Sequence, residues 1–177
     1  MNFGRFFVAS GAVVALAAGA GFVNEVFLTE SIPSSSSYTG CMTSEVQDEA
    51  LFGVARFTNE GTQDIRLRAV TADTVEGVEI VGIRVIPAEV LEKRGGVGIL
   101  GVHDVSQSGW IPVEGALVRP GEDVSIIAHL KATSPTGRVT DFRLDYAGNY
   151  GIGHTAHFGN SVGFTSDDPD DEVLCGA

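Results

Sequence analysis

The chain is poor in basic residues, cysteine and tryptophan. It has 177 residues, with 11 Lys plus Arg against 23 Asp plus Glu, two Cys and one Trp. A formal net charge of -12 leaves no basic surface for polyphosphate, so nucleic acid is excluded as a partner. A hydrophobic content of 44% is too high for a disordered acidic chain, so a folded core is expected.

Catalytic and cofactor motifs give no complete signature. No H-E-x-x-H or phosphate-binding G-x-x-x-x-G-K-[ST] occurs, and the glycine-rich segment 95–98 has no Lys-Ser/Thr after it. One G-x-S-x-G is present, at residues 159–163, but no helical pattern follows it, as a nucleophile elbow would require. Asp141 and Asp145 would share a strand face, but ~13 Å apart at the strand rise they are too far to act as a pair. The sequence therefore predicts a protein that is not an enzyme and has no cofactor.

One long hydrophobic run stands at the N-terminus. Residues 6–23 contain no charge; Arg5 precedes the run and Glu25 follows it. The run exceeds the ~7 to 15 residues of a signal-peptide core and only just reaches the ~17 to 25 that span a bilayer. Ala18-Gly19-Ala20 offers a cleavage site, so cleavage stays open. We predict a retained single-pass signal anchor with the N-terminus in the cytoplasm and the rest of the chain extracytoplasmic, in the cell membrane.

Three segments follow from this organisation. Residues 1–28 are predicted to be the signal anchor or transmembrane helix, residues 29–44 a Ser-rich linker, and residues 45–177 an extracytoplasmic domain. Thr39-Gly40-Cys41 leaves lipidation of the Cys as a minor alternative.

The two cysteines lie at opposite ends of the exported segment. In an oxidising compartment Cys41 and Cys175 most simply form one structural disulfide. The bond would close nearly the whole domain into a loop and tie its last strand to its first.

Short apolar alternations broken by turn residues predict the fold. The strands are predicted at 51–58, 65–71, 78–86, 97–105, 124–132, 139–146 and 150–158. Seven to eight strands in one small domain indicate an antiparallel β-sandwich or a barrel. Within 124–132 the alternation is regular except for Ile127, an apolar residue on the otherwise polar face.

Two turn motifs carry a resemblance. Asn59-x-Gly61 at a strand end, Leu117-x-x-Pro120-Gly121-Glu122 before an apolar strand, and Cys175 near the C-terminus resemble exported, single-anchor bacterial proteins of the actinomycete type. These proteins have an immunoglobulin-like domain and no assigned function. The resemblance implies an immunoglobulin-like β-sandwich and transfers no site residue.

Two functions of different classes fit these features. The first is a non-enzymatic, membrane-tethered accessory or interaction subunit of a membrane-associated assembly, with membrane proteins as partners. The alternative is an exported copper- or zinc-handling domain in which His103, His154 and His157 converge on one metal ion. Such a site needs at least three ligands, and in a regular strand the spacing of His154 and His157 would send them to opposite faces.

Two further features bear on binding. The acidic segment 167–172 lacks the spacing of a calcium loop. Trp110 is expected to pack on the core or, if exposed, to anchor a partner.

Overall fold

A computed structural model describes residues 38–43, 45–46, 48–89, 99–102, 109–148 and 151–165. They form ten strands: β1 (Thr39–Thr43), β2 (Glu49–Thr58), β3 (Ile65–Glu76), β4 (Val78–Pro87), β5 (Ile99–Gly101), β6 (Ile111–Pro112), β7 (Leu117–Val118), β8 (Asp123–Ala132), β9 (Thr136–Ala147) and β10 (Gly153–Thr165). The predicted strands are present, but β3 and β10 run several residues past their predicted ends, and only 99–101 of the predicted 97–105 is a strand.

The strands form two five-stranded sheets. One has the order β1-β10-β9-β3-β7 and the other β5-β2-β8-β4-β6. In chain order, β2, β3, β4, β8, β9 and β10 match strands B to G of an immunoglobulin fold, with B, E and D in one sheet and C, F and G in the other. The domain is therefore an all-β, immunoglobulin-like sandwich, as predicted.

Large apolar side chains from both inner faces fill the space between the sheets. Phe52, Phe142, Phe158 and Phe164 are at most 2% exposed, and the rings of Phe52 and Phe142 stack across the core at 5.8 Å. In β9 the buried Phe142, Leu144 and Tyr146 recur at every second residue, which is the period that places one face of a strand inward.

The strand β1 is an unexpected member of the first sheet. It runs parallel to β10, with Cys41 opposite Gly163, whereas the other strand pairs are antiparallel among the described residues. The segment Thr39–Thr43 therefore belongs to the sandwich and not to the linker predicted over 29–44. Its sequence, Thr-Gly-Cys-Met-Thr, has no clear apolar alternation that would have indicated a strand.

A single residue carries the chain from one sheet to the other. Gly77 lies between β3 and β4 with φ of 61°, and a Cβ there would lie 2.2 Å from the carbonyl oxygen of Thr136. Gly137 lies against the same crossing, since its Cβ would meet the carbonyl oxygens of Glu76 and Gly77 at 2.7 and 2.8 Å. The absence of side chains at Gly77 and Gly137 thus lets the backbones approach closely where the chain passes from one sheet to the other.

The connection between β4 and β7 departs from a minimal sandwich. From β4 the chain passes to β5, at the far edge of the same sheet, and then returns to β6, beside β4. After β4 the chain is helical at Ala88 and Glu89, and residues 90–98 and 103–108 lie outside the described residues.

The predicted signal anchor at 1–28 also lies outside the described residues. Across the part of the chain that the structure describes, no helix has both the length and the apolar character to cross a bilayer.

Candidate functional site

A second apolar cluster lies on the outer face of the β5-β2-β8-β4-β6 sheet. Leu51, Ile86 and Ile127 are each at most 1% exposed there, and the partly buried Val102 and Trp110 pack against them. An outer face of an antiparallel sheet is ordinarily polar and solvated, so these side chains must be covered. The covering residues described, Val102 and Trp110, both belong to the connection between β4 and β7.

This cluster accounts for the irregular Ile127. Its side chain is on the outer face, as the alternation predicts, and it is buried because Trp110 covers it. Trp110 itself is half-buried and packs on this outer cluster instead of on the inter-sheet core, which corrects the simpler expectation of core packing.

A shallow groove of about 50 Å³ opens beside the cluster. Seven residues line it: Leu51, Val81, Gly82, Arg84, Trp110, Ile127 and His129. Leu51 and Ile127 supply a buried apolar floor, Trp110 an aromatic wall, and Val81, which is 47% exposed, an apolar rim. We call this feature the outer-face groove.

Two nitrogen-bearing side chains line the outer-face groove. His129 Nε2 lies 2.7 Å from a carboxylate oxygen of Glu49 on the neighbouring strand β2. The Arg84 guanidinium donates a 3.3 Å hydrogen bond to the carbonyl of Ile83, and it has no carboxylate partner among the described residues. The Arg84 side chain lies over Gly82, where an added Cβ would be 3.5 Å from Nη1, so the guanidinium is positioned over the groove. The groove therefore combines an apolar floor with a cation that has no acidic partner there.

The predicted metal ligands do not come together among the described residues. His154 and His157 lie in the regular part of β10, paired with Tyr146 and Arg143, and so point to opposite faces. The His154 ring stacks on Tyr146 at 5.3 Å, and His157 is exposed. His103 lies outside the described residues, within which no group of three His, Cys, Asp or Glu side chains could hold a metal ion.

The carboxylates considered for catalysis are likewise separate. Asp145 accepts a 2.7 Å hydrogen bond from Thr155 Oγ1 on β10, while Asp141 is exposed and has φ of 52°. The acidic segment 167–172 lies outside the described residues.

The structure describes only one of the two cysteines in the predicted disulfide. Cys41 is partly buried in β1, and the described part of the chain has no free cysteine. Cys175 lies outside the described residues, so its pairing with Cys41 stays a prediction.

The two turn motifs meet at one buried asparagine. Asn59 is 1% exposed, and its amide donates to the carbonyls of Gln63 and Val118 at 2.8 Å each. Its backbone N–H donates to the carbonyl of Glu122, and its carbonyl accepts from Gly121 at 2.7 Å. Asn59 thus joins the turn after β2 to the turn before β8, which the sequence showed only as two separate turn signals.

A second buried asparagine, Asn160, joins the two sheets. It lies at a bulge in β10, and its amide donates to the carbonyl of Val54, at a bulge in β2. Its Oδ1 accepts from the backbone N–H of Tyr38 at 2.6 Å. Nothing in the sequence around Asn160 indicated that it would link the two sheets.

No protein-family model matches the chain, and no curated protein sequence matches it. Among solved structures, it is similar to the ASH/PapD-like domain 7 of human CEP192, with a TM-score of 0.42, 11% identity and coverage of 77% of this chain and 85% of that one. It is also similar to the CFA/I adhesin CfaE of enterotoxigenic E. coli, with a TM-score of 0.34, 7% identity and coverage of 77% and 48%. The secreted serine protease VesC of Vibrio cholerae gives a TM-score of 0.29, 13% identity and coverage of 83% and 26%. With TM-scores below 0.5, these similarities carry no conclusion about this chain.

Proposed function

We propose that the protein is a non-enzymatic, membrane-tethered, extracytoplasmic subunit that binds a membrane protein through the outer-face groove. The observation that carries the proposal is the groove itself, in which an aromatic wall and a buried apolar floor adjoin the guanidinium of Arg84. The resemblance to exported single-anchor bacterial proteins and the charge asymmetry around residues 6–23 support the membrane location.

The groove has the composition of a binding surface. Trp and Arg are among the side chains most enriched at positions that dominate binding energy, because they offer large contact area and directional hydrogen bonds. Here Trp110 stands beside Arg84 and the exposed Val81. At about 50 Å³ the groove is far smaller than a pocket for a small-molecule substrate, and it suits one side chain of a protein partner.

Charge specifies the partner further. Arg84 has no carboxylate partner among the described residues, although the whole chain carries 23 acidic residues. A carboxylate on the partner would accept charge-assisted hydrogen bonds from the guanidinium. We therefore infer that the partner presents an apolar side chain next to an Asp or Glu in an extracytoplasmic segment.

Site-specific cross-linking in the native membrane tests the proposal. A photo-reactive residue at Val81 of the full chain is expected to cross-link to a membrane protein other than this chain, whereas one at Val75 is not. The two valines are matched, since they are 47% and 43% exposed, but Val75 lies in the other sheet.

Substitutions then test the groove chemistry. Trp110→Ala is expected to reduce the Val81 cross-link by roughly 30-fold or more. Because this change also uncovers Leu51 and Ile127, Arg84→Glu is the second variant; it reverses the charge that would attract an acidic partner and leaves the floor covered. Equal cross-linking from Val75 and Val81 to a protein other than this chain, or no effect of either substitution, would contradict the proposal.

The membrane topology has its own test. Protease added to intact cells stripped of their outer layers is expected to digest the sandwich and leave a short protected fragment that contains residues 6–23. Full protection of the chain would place the domain in the cytoplasm and refute the topology.

A further inference from the structure

The strand β3 has a long edge that no described strand covers. It pairs with β9 along its length, but on its other side β7 pairs only with Ile65 and Arg66. Backbone hydrogen bonds from the turn before β7 extend this cover by one residue, through Leu67 with Gly115 and Ala116. From Arg68 to Glu76, where the chain turns away at Gly77, no strand among the described residues pairs with this edge.

An uncovered strand edge is a template for a further strand, because alternate backbone N–H and C=O groups along it have no partner in the sheet. Proteins use such edges for recognition by strand addition. The free stretch of β3 equals the length of an ordinary strand or more, so it offers a continuous row of hydrogen bonds.

We propose that this edge pairs antiparallel with the same edge of a second copy of the chain. The midpoint of the free stretch is Ala72, so a two-fold axis at this residue pairs the two stretches over their full length. In that register Arg68 of each copy lies opposite Glu76 of the other, and Thr71 lies opposite Asp73. The interface therefore has opposite charges at both ends, where the exposed Arg68 guanidinium also donates to the carbonyl of Gly151 at 3.1 Å, and two hydroxyl–carboxylate pairs near the centre.

The pattern of exposure along β3 has the same symmetry. Arg68 and Glu76 are exposed, Thr71 and Asp73 are exposed, and the half-buried Ala72 lies on the axis. The remaining pairs are Val70 with Thr74, both half-buried, and Ala69 with Val75. Residues directly opposite in an antiparallel pair point to the same face, so this register gives nearly every side chain a partner of matching environment.

The pairing also covers an apolar side chain that the monomer exposes. Val75 is 43% exposed at the free edge, and it would lie beside Ala69 of the other copy. Glu76 already accepts a hydrogen bond from Arg138 Nε at 3.1 Å, but its side chain is 63% exposed and has room for a second cation. Asp73, which pairs with Arg143, is 42% exposed and can accept the Thr71 hydroxyl in the same way.

Other arrangements fit the charges less well. A parallel pairing in register places Arg68 beside Arg68 and Glu76 beside Glu76, and like charges directly opposite are destabilising. A second copy is thus the partner whose charge sequence complements this edge, and the inference does not depend on the outer-face groove, which belongs to the other sheet.

Cysteine cross-linking of the full chain in detergent micelles and in its native membrane tests the register. Ala72→Cys is expected to form a disulfide with its own copy under mild oxidation, because directly opposite Cα atoms lie ~4.5 to 5.5 Å apart, within disulfide range. Thr74→Cys is the matched control: in this register its own copy is four residues away, ~13 Å along the strand, and should not cross-link. Peptide mass spectrometry distinguishes a bond between the two introduced cysteines from exchange with Cys41.

Charge substitution tests the same interface without a new cysteine. Arg68→Ala is expected to weaken dimerisation, measured by sedimentation equilibrium of the full chain in micelles, by roughly 2- to 30-fold, since it removes two symmetry-related charge pairs. Arg66→Ala, in the same strand but outside the free stretch, should leave the dimer constant unchanged.

Two results would overturn the inference. One is a cross-link in the Ala72→Cys variant that forms no faster than in the Thr74→Cys variant, when both retain the far-ultraviolet spectrum of the unmodified chain. The other is a full chain that stays monomeric while those backbone amides between Ala69 and Val75 that do not bond to β9 resist hydrogen exchange, since a different segment or partner would then cover the edge.

Discussion

Substitution of Gly77 by alanine should be among the most damaging single-methyl additions in this fold. An alanine there must adopt φ near 61°, which costs about 1 to 2 kcal/mol for a residue with a side chain. Its methyl group would also lie 2.2 Å from the carbonyl oxygen of Thr136, and that oxygen belongs to the backbone and cannot rotate away. Overpacking of this kind costs about 1 to 3 kcal/mol.

A third contribution acts in the opposite direction. Replacing glycine by alanine restricts the unfolded chain and so stabilises the fold by about 0.4 to 1 kcal/mol. The net expectation for Gly77→Ala is a loss of about 1 to 5 kcal/mol, a large share of the ~5 to 15 kcal/mol that holds a typical domain folded.

Two other glycines separate these contributions. Gly121 has φ of 75° but no atom within 4 Å of its would-be methyl group, so Gly121→Ala should cost only about 0 to 1.5 kcal/mol. Gly137 has no positive φ, yet its methyl group would meet backbone oxygens at 2.7 and 2.8 Å, so Gly137→Ala should cost about 0 to 2.5 kcal/mol after the same unfolded-state gain is subtracted.

Urea unfolding of the full chain in detergent, followed by circular dichroism and fluorescence of Trp110, measures these differences through the shift of the midpoint at constant m-value. The expected order of destabilisation is Gly77, then Gly137, then Gly121. If Gly77→Ala were no more harmful than Gly121→Ala, the close backbone approach between the sheets would be wrong.

Three further predictions use the same unfolding assay or intact mass. Asn59→Ala should cost about 2 to 4 kcal/mol, because it leaves the carbonyl of the buried Val118 without its donor; a loss below about 1 kcal/mol would contradict the bridging role. Ser125→Ala should be neutral or should raise stability by up to about 1 kcal/mol, since the Ser125 hydroxyl is buried without a hydrogen-bond partner among the described residues; a clear loss would show a partner. If Cys41 pairs with Cys175, reduction adds two hydrogens to the intact mass, and Cys41→Ser lowers stability by on the order of 4 to 5 kcal/mol in the chain-entropy account; an unchanged mass would refute the bond.

The sequence predicted the sandwich because most of its strands obey a simple rule. Buried and exposed residues alternate along much of β9, apolar and polar residues alternate along β8, and glycine, proline and asparagine mark the turns between strands. The bulges at Leu67 to Ala69 and at Phe158 to Ser161 break this alternation, so the ends of β3 and β10 were missed.

The sequence contained one sign of the outer-face groove, the apolar Ile127 on the polar face of β8. The sequence showed this residue only as an exception to the alternation, without indicating what covers the sheet there. The sequence did not show that Trp110 is the cover, because the two residues come together through a connection that leaves β4, reaches the far edge and returns. Arg84 gave no signal at all, since the lack of a carboxylate partner is a property of the folded surface.

The core strands and the connection between β4 and β7 differ in how much sequence change they tolerate. The six strands that correspond to an immunoglobulin fold carry the inter-sheet core and the crossing at Gly77, where an inserted residue would reverse the faces of a whole strand. Trp110, in contrast, belongs to a connection whose length and sequence can change without altering any strand register of that core. A change of the groove wall at Trp110 can therefore alter what the groove binds without altering the strand pairing of the sandwich beneath it.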